Sequence, residues 1–170
     1  MALLTVVVLG AGCRGPSPRP GLRVAADDVR RDRVARAGAA LLPEGGVRWS
    51  VTPQVGVGAW AWPDGRIEMS RALVDRLDDH ELAAALAHEL AHLLDGGHLP
   101  AVAYALDGGA GDLERRADRI GCGVLLRHGV PGAAMPRMLA KVAAATHDLS
   151  GELAARIAAA HTACESAPAR

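Results

Sequence analysis

The chain has 170 residues, half of them hydrophobic, with 19 basic and 19 acidic side chains. This length suits one domain with a buried core, and the balanced charge gives no net field that would attract nucleic acid or an anionic membrane surface. Three Trp, one Tyr and no Phe leave Ala, Leu and Val to build the core, which favours closely packed helices.

Residues 1–20 have the pattern of an export segment and tether. An apolar run over residues 2–9 is followed by small residues up to Cys13 and then by a stretch rich in Pro, Arg and Ser. The run is too short to span a bilayer and is typical of the hydrophobic region of a signal peptide. It resembles a bacterial lipoprotein signal, which implies a lipid anchor at Cys13. We therefore expect residues 21–170 to form an exported domain at the periplasmic or extracellular face of a bacterial membrane.

The first part of this domain is predicted to contain one helix and a small sheet. The helix covers about residues 26–42 and ends at Pro43. Between two of the extended segments lies Pro63-Asp64-Gly65, a turn sequence that predicts a β-hairpin and a small antiparallel sheet. The segment at 66–69 is a candidate edge strand that would hold an extended substrate. The extended segments are 47–51, 55–62 and 66–69.

Helices are predicted for the remainder of the chain. The second begins near Asp78, which forms a capping box with Glu81, and ends at Gly96. The order of helix, small sheet and then helices predicts a mainly helical α+β fold. The later helices are predicted at about 112–129, 133–145 and 150–164.

The second predicted helix contains the stretch AHELAHLL, residues 87–94. His88 and His92 are four residues apart and therefore lie on one helix face, where they can bind one metal ion. Glu89 is placed to act as a general base, and this HExxH spacing is typical of zinc hydrolases. The alternative interpretation is an ordinary Ala/Leu-rich helix with two incidental histidines.

A catalytic zinc site requires a third protein ligand, and the sequence offers two candidates. His98 lies near the position of the third histidine in metzincins, although Asp95 occupies the place of their required glycine. Glu114 lies on the next helix with Asp118 one turn away, and Asp118 can accept a hydrogen bond from a ligating imidazole. This support favours Glu114 over His98, while a solvated charged face is the alternative for both carboxylates.

Three motifs in order resemble one family: the hairpin WAWPDGRI, the HExxH helix and the sequence ERRADRIG. The chain is similar to the HtpX/CAAX prenyl endopeptidase family of gluzincin zinc metallopeptidases, in a compact exported form, from about Arg31 to Ile157. The resemblance implies a zincin-like domain that binds one Zn²⁺ and hydrolyses peptide bonds. It implies that His88, His92 and Glu114 bind the metal. It also implies that Glu89 is the catalytic base and that Asp118 is a supporting carboxylate.

The family's later Thr-His-Pro motif is Thr146-His147-Asp148 here, and the arginine that follows it corresponds to Arg156. A zinc endopeptidase needs a donor for the oxyanion that forms on the substrate carbonyl. His147 is the first candidate for this catalytic role, and Arg156 and Tyr104 are further candidates for contact with the oxyanion or substrate.

The expected substrate is a protein or peptide, including misfolded proteins of the cell envelope. Two other functions remain open: a regulatory metallopeptidase of the ImmA/IrrE type, and a zinc-stabilised chaperone-like module that binds without cutting. Cys122 and Cys164 form an even pair that either bridges in an oxidising compartment or stays as two buried thiols. The sequence does not decide between these states, nor does it give the oligomeric state.

Overall fold

The computed structural model describes residues 20–54, 56–95, 110–147 and 151–166. These residues form a mostly helical α+β fold with one small sheet. None of the helices in these ranges combines the length and apolar character needed to cross a membrane. In chain order the elements are α1 (Pro20–Leu41), β1 (Arg48–Thr52), β2 (Ala59–Trp62), β3 (Arg66–Ser70), α2 (Arg71–Val74), α3 (Asp79–Leu94), α4 (Ala110–Arg127), α5 (Ala134–Thr146) and α6 (Glu152–Ser166).

The sheet is mixed, with strand order β1-β3-β2. The predicted hairpin is confirmed, because β2 and β3 pair antiparallel and Gly65 takes the positive φ of 77° that the turn requires. The prediction of an antiparallel sheet is wrong for β1, which pairs parallel with β3. The segment 66–69 is therefore the centre of the sheet and not its edge. Among the described residues, β2 pairs only with β3 and has a free edge.

Helix α3 is the centre of the core. Its predicted capping box is confirmed: Asp78 accepts from the backbone of Glu81, and the Glu81 side chain accepts from the backbone of Asp78. Every residue from position 81 to 91 is buried, including three polar side chains, Glu81, His88 and Glu89. An Ala-rich helix lets its neighbours approach closely, and α1, α4 and α5 pack around it.

The contact between α3 and α4 depends on Gly121. A Cβ atom at this position would lie 2.7 Å from the Met135 side chain and 3.3 Å from the backbone of Ala87. Both distances are too short for an unmoved side chain, so glycine lets α4 lie against α3 next to His88. The ligand candidates of the two helices are brought together by this close approach.

A disulfide joins α4 to α6 through Cys122 and Cys164, whose Cα atoms are 5.1 Å apart. Both residues are buried, with relative exposures of 0% and 7%. The structure therefore resolves the open question about the two cysteines in favour of a covalent link.

Removing this link by the double substitution Cys122→Ala and Cys164→Ala is expected to lower the free energy of unfolding by about 4 kcal/mol, because the closed loop spans 42 residues. Urea unfolding followed by circular dichroism measures this change. The wild-type chain unfolded under reducing conditions is the control and should match the double variant. Equal stability of the oxidised wild type and the double variant would contradict the prediction.

Candidate metal centre

Two imidazoles of α3 meet on one face of the helix. The Nε2 atoms of His88 and His92 are 3.2 Å apart, and the rings are nearly perpendicular. His88 is buried and His92 is partly buried. Residues one helical turn apart can present two nitrogen ligands to the same ion, and this pair has the spacing and direction to do so.

Glu114 of α4 completes a set of three ligand atoms. Its Oε2 atom lies 3.2 Å from His88 Nε2, and its Oε1 atom lies 3.5 Å from His92 Nε2. The three candidate ligand atoms all lie within 4.8 Å of one another. Two imidazole nitrogens and one carboxylate form a donor set suited to zinc, and three protein ligands leave a coordination position open. The residues present thus fit a catalytic zinc ion.

Asp118, one turn after Glu114, is positioned behind His88. Its Oδ1 atom is 2.9 Å from His88 Nδ1, and the residue is 2% exposed. Because Nδ1–H donates to this carboxylate, the ring orientation is fixed with Nε2 directed at Glu114 and His92. The structure therefore brings His88, His92, Glu114 and Asp118 together.

Arg156 of α6 contacts two carboxylates of α4, those of Asp118 and Glu114. Its Nε and Nη2 atoms donate to the two oxygens of Asp118 at 2.9 Å, and its Nη1 atom lies 2.8 Å from Glu114 Oε2. The side chain is buried. The sequence predicted a contact with the oxyanion or substrate, but the described partners of this guanidinium are carboxylates of the ligand helix.

Glu89 adjoins His88 on α3, the helix that packs against β2. It is 9% exposed, and the backbone of Ala61, on the edge strand β2, lies near enough to its carboxylate to lower the pKa. Burial and the negative charge of Glu114 raise the pKa of Glu89 to about 7, against the opposing effects of His88 and Arg156. A carboxylate with a pKa near neutrality can both accept and return a proton, which is what general acid–base catalysis needs.

The ionisation states of the ligands depend on one another in the metal-free chain. Burial lowers the pKa of His88, but Asp118 and Glu114 outweigh burial and raise it to about 10. Burial raises the pKa of Glu114, but His88 and Arg156 outweigh burial and lower it to about 2. Burial and the charge of His88 lower the pKa of His92. Without metal, therefore, His88 carries both ring protons, and a metal ion at Nε2 must displace one of them.

These pKa values predict how the stability of the metal-free chain depends on pH. The folded-state pKa of His88, about 10, is above its ordinary value of 6.5. The stability that protonated His88 contributes is therefore fully present below about pH 6.5 and is lost as the pH rises through about 10. Urea unfolding in the presence of a chelator should show a fall in stability between about pH 7 and pH 10.

The variant His88→Gln should lack this fall, because no group with a raised pKa remains at position 88. The variant His161→Gln changes an exposed histidine on α6 and should retain the wild-type pH dependence. Parallel pH profiles for the wild type and His88→Gln would contradict the assignment.

Among the described residues, His147 is not joined to the ligand set. His147 ends α5 with a positive φ of 52° and is exposed, and no described hydrogen bond or ion pair joins it to His88, His92 or Glu114. Tyr104, His98 and Cys13 lie outside the described residues. The role of His147 stays a prediction.

Sequence reasoning missed that the backbone of Ala61 lies near Glu89. The sequence did identify the hairpin to which Ala61 belongs, because AWAW and RIEMS flank the turn. The sequence did not show which of the two strands lies at the edge, because the position of β1 in the sheet depends on long-range pairing.

The ligand set, its supporting carboxylate and the adjacent base can be compared with known families. Residues 31–107 match the model of Peptidase family M48. The matched segment includes α3 with His88, Glu89 and His92, and it ends before Glu114. No curated protein matches the chain.

The M48 match supports a metallopeptidase of this family and therefore a hydrolase. Its zinc chemistry agrees with the group formed by His88, His92 and Glu114, which lies close together in the structure. The matched residues include α3, the helix that carries two of the three candidate ligands.

Proposed function

We propose that the chain is a zinc-dependent metalloendopeptidase. The observation that carries the proposal is the buried carboxylate of Glu89, which adjoins His88 on the helix that packs against β2. A purely structural zinc site needs no base and normally fills its fourth position with protein. The M48 match and the donor set of two histidines and one glutamate support the same assignment.

Within this family we propose the gluzincin arrangement, with Glu114 as third ligand, in a compact form similar to the HtpX/CAAX prenyl endopeptidase group. Glu114 and Asp118 on α4 support this choice, because one contacts both histidines and the other contacts His88. The zincin-like domain then comprises residues 21–170, with α3 and α4 as its two ligand helices.

The edge of β2 is the proposed binding site for the substrate. Ser70 N–H donates to Gly58 O, so the antiparallel alternation places the N–H and C=O groups of Ala59 and Ala61 on the free edge. An extended peptide can add to such an edge through main-chain hydrogen bonds. Because α3 packs against β2, a substrate added to this edge would lie close to the helix that carries the base.

In the proposed reaction, Glu89 removes a proton from the attacking water and then delivers it to the leaving amine. Asp118 holds His88 in the orientation that leaves Nε2 available to a metal. Zinc in this ligand set would supply Lewis acidity to the water and the peptide carbonyl. Both proton transfers use one carboxylate, which agrees with the raised pKa of Glu89.

We propose an exported location, with residues 1–20 as signal and tether and a lipid anchor at Cys13. The Cys122–Cys164 disulfide supports an oxidising compartment, since cytosolic proteins rarely keep structural disulfides. It also disfavours the ImmA/IrrE-type alternative, for which a cytoplasmic location is expected. The proposed substrates are proteins or peptides of the cell envelope, including misfolded ones.

The test is cleavage of an unfolded protein such as casein, with the products identified by mass spectrometry. Internal cuts are expected, with activity lost on chelation and restored by added zinc. A chain that binds zinc but cuts no substrate would favour the zinc-stabilised binding module. Removal of residues only from the ends of the substrate would contradict the endopeptidase assignment.

A further inference from the structure

Three nitrogen atoms of one buried arginine are committed to the helix that carries the third ligand. Arg156 binds Asp118 through two parallel hydrogen bonds and reaches Glu114 with its remaining nitrogen. A guanidinium can satisfy two carboxylates in this way because its donors lie in one rigid plane. Among the described residues, no other arginine or lysine contacts both of these carboxylates.

The disulfide joins α6, which carries Arg156, to α4, which carries the two carboxylates. On α4, Glu114, Asp118 and Cys122 follow at intervals of four residues and so lie along one face. On α6, Arg156 and Cys164 are eight residues apart on one face and meet that row. The covalent link therefore holds α6 where Arg156 can reach both carboxylates.

Two neighbouring carboxylates in a poorly solvated site repel each other unless cations balance them. In the metal-free chain Arg156 places its positive charge against both Glu114 and Asp118, and the imidazole of His88 contacts the same two carboxylates. A bound zinc ion would add two positive charges next to Glu114. Arg156 is therefore needed most when the metal is absent.

We propose that Arg156 is a positioning residue that acts as a built-in counter-cation, holding Glu114 and Asp118 oriented so that the ligand set is formed before zinc binds. This inference rests on the proposed zinc site. It has an unusual consequence, since the positive charge of Arg156 also opposes zinc. Arg156 stabilises the metal-free chain and lowers the affinity of the folded chain for the metal.

The test compares thermal unfolding of the full chain with chelator and with saturating zinc. Without zinc, Arg156→Met should lower the Tm by roughly 10 °C, because it leaves the buried carboxylate of Asp118 and the partly buried one of Glu114 without this partner. With zinc the fall should be much smaller, so the zinc-induced rise in Tm becomes larger than in the wild type. By linkage, a larger rise means tighter zinc binding to the folded variant.

Two further variants make the result specific. Val34→Ala removes buried apolar atoms from α1, which carries none of the site residues, and should lower the Tm equally with and without zinc. Arg156→Lys keeps the charge but not the planar fork, so its zinc-induced rise should fall between those of the wild type and Arg156→Met. If Arg156→Met folds only with zinc, that outcome agrees with the proposal. Arg156→Lys then supplies the comparison of Tm with and without zinc.

An unchanged zinc-induced rise in both Arg156 variants would reduce Arg156 to a structural residue and overturn the inference. A smaller rise would overturn it as well, because it would mean that Arg156 helps zinc to bind. In either case a wild type that responds to zinc leaves the proposed function standing. A wild-type Tm that does not respond to zinc would overturn the zinc site itself, and the inference with it.

Discussion

Replacing Glu89 with glutamine is expected to lower kcat/KM for peptide cleavage by about 10²–10⁴-fold while leaving the zinc content unchanged. Glutamine has nearly the same shape as glutamate but cannot accept the proton of the attacking water. Glu89 adjoins His88 on α3 and is not one of the three candidate ligands. The ligand set should therefore survive the substitution.

The matched control is Glu81→Gln, the same substitution at a buried position on the same helix. Glu81 contacts Lys141 and the backbone of Asp78, so this variant should be less stable but, once folded, as active as the wild type. If Glu89→Gln kept wild-type activity, another group would have to be the base. If it lost zinc, Glu89 would have to be counted among the ligands.

Replacing Glu114 with alanine is expected to weaken zinc binding by more than about 100-fold, beyond the loss typical for groups that only support a ligand. The substitution removes the oxygen atoms that lie 3.2 and 3.5 Å from the two histidines. Two imidazoles alone make a poor zinc site, because catalytic zinc normally has three protein ligands. Competition with a metal-binding dye measures the change in affinity.

Two controls accompany Glu114→Ala. Asp112→Ala removes an exposed carboxylate from the first turn of the same helix and should leave zinc affinity unchanged. His98→Ala tests the other candidate ligand and should also leave it unchanged. Loss of zinc in His98→Ala with retention in Glu114→Ala would change the assignment to a metzincin-like site.

Local sequence patterns predicted the parts of the site that lie within one element. The i, i+4 spacing placed His88 and His92 on one helix face, and the capping box fixed the start of α3 at Asp78. The turn at Pro63-Asp64-Gly65 likewise identified the β2–β3 hairpin. In each case the interacting residues are close in sequence, so local geometry determines their contact.

Contacts between distant elements were harder to predict. The central position of β3 depends on its parallel pairing with β1, which no local pattern records. The path of α6 across α4 decides that Arg156 meets Asp118 and Glu114, and the disulfide forms at the same crossing. Cysteine spacing alone does not give this connection, because it also allows two separate thiols.

The most direct test of the central claim is the zinc content of the purified full chain, measured by elemental mass spectrometry after incubation with zinc and removal of the excess. We predict one zinc per wild-type chain and almost none in Glu114→Ala or His88→Ala. A wild-type chain without zinc, or one whose zinc is unaffected by both substitutions, would contradict a site built from His88, His92 and Glu114.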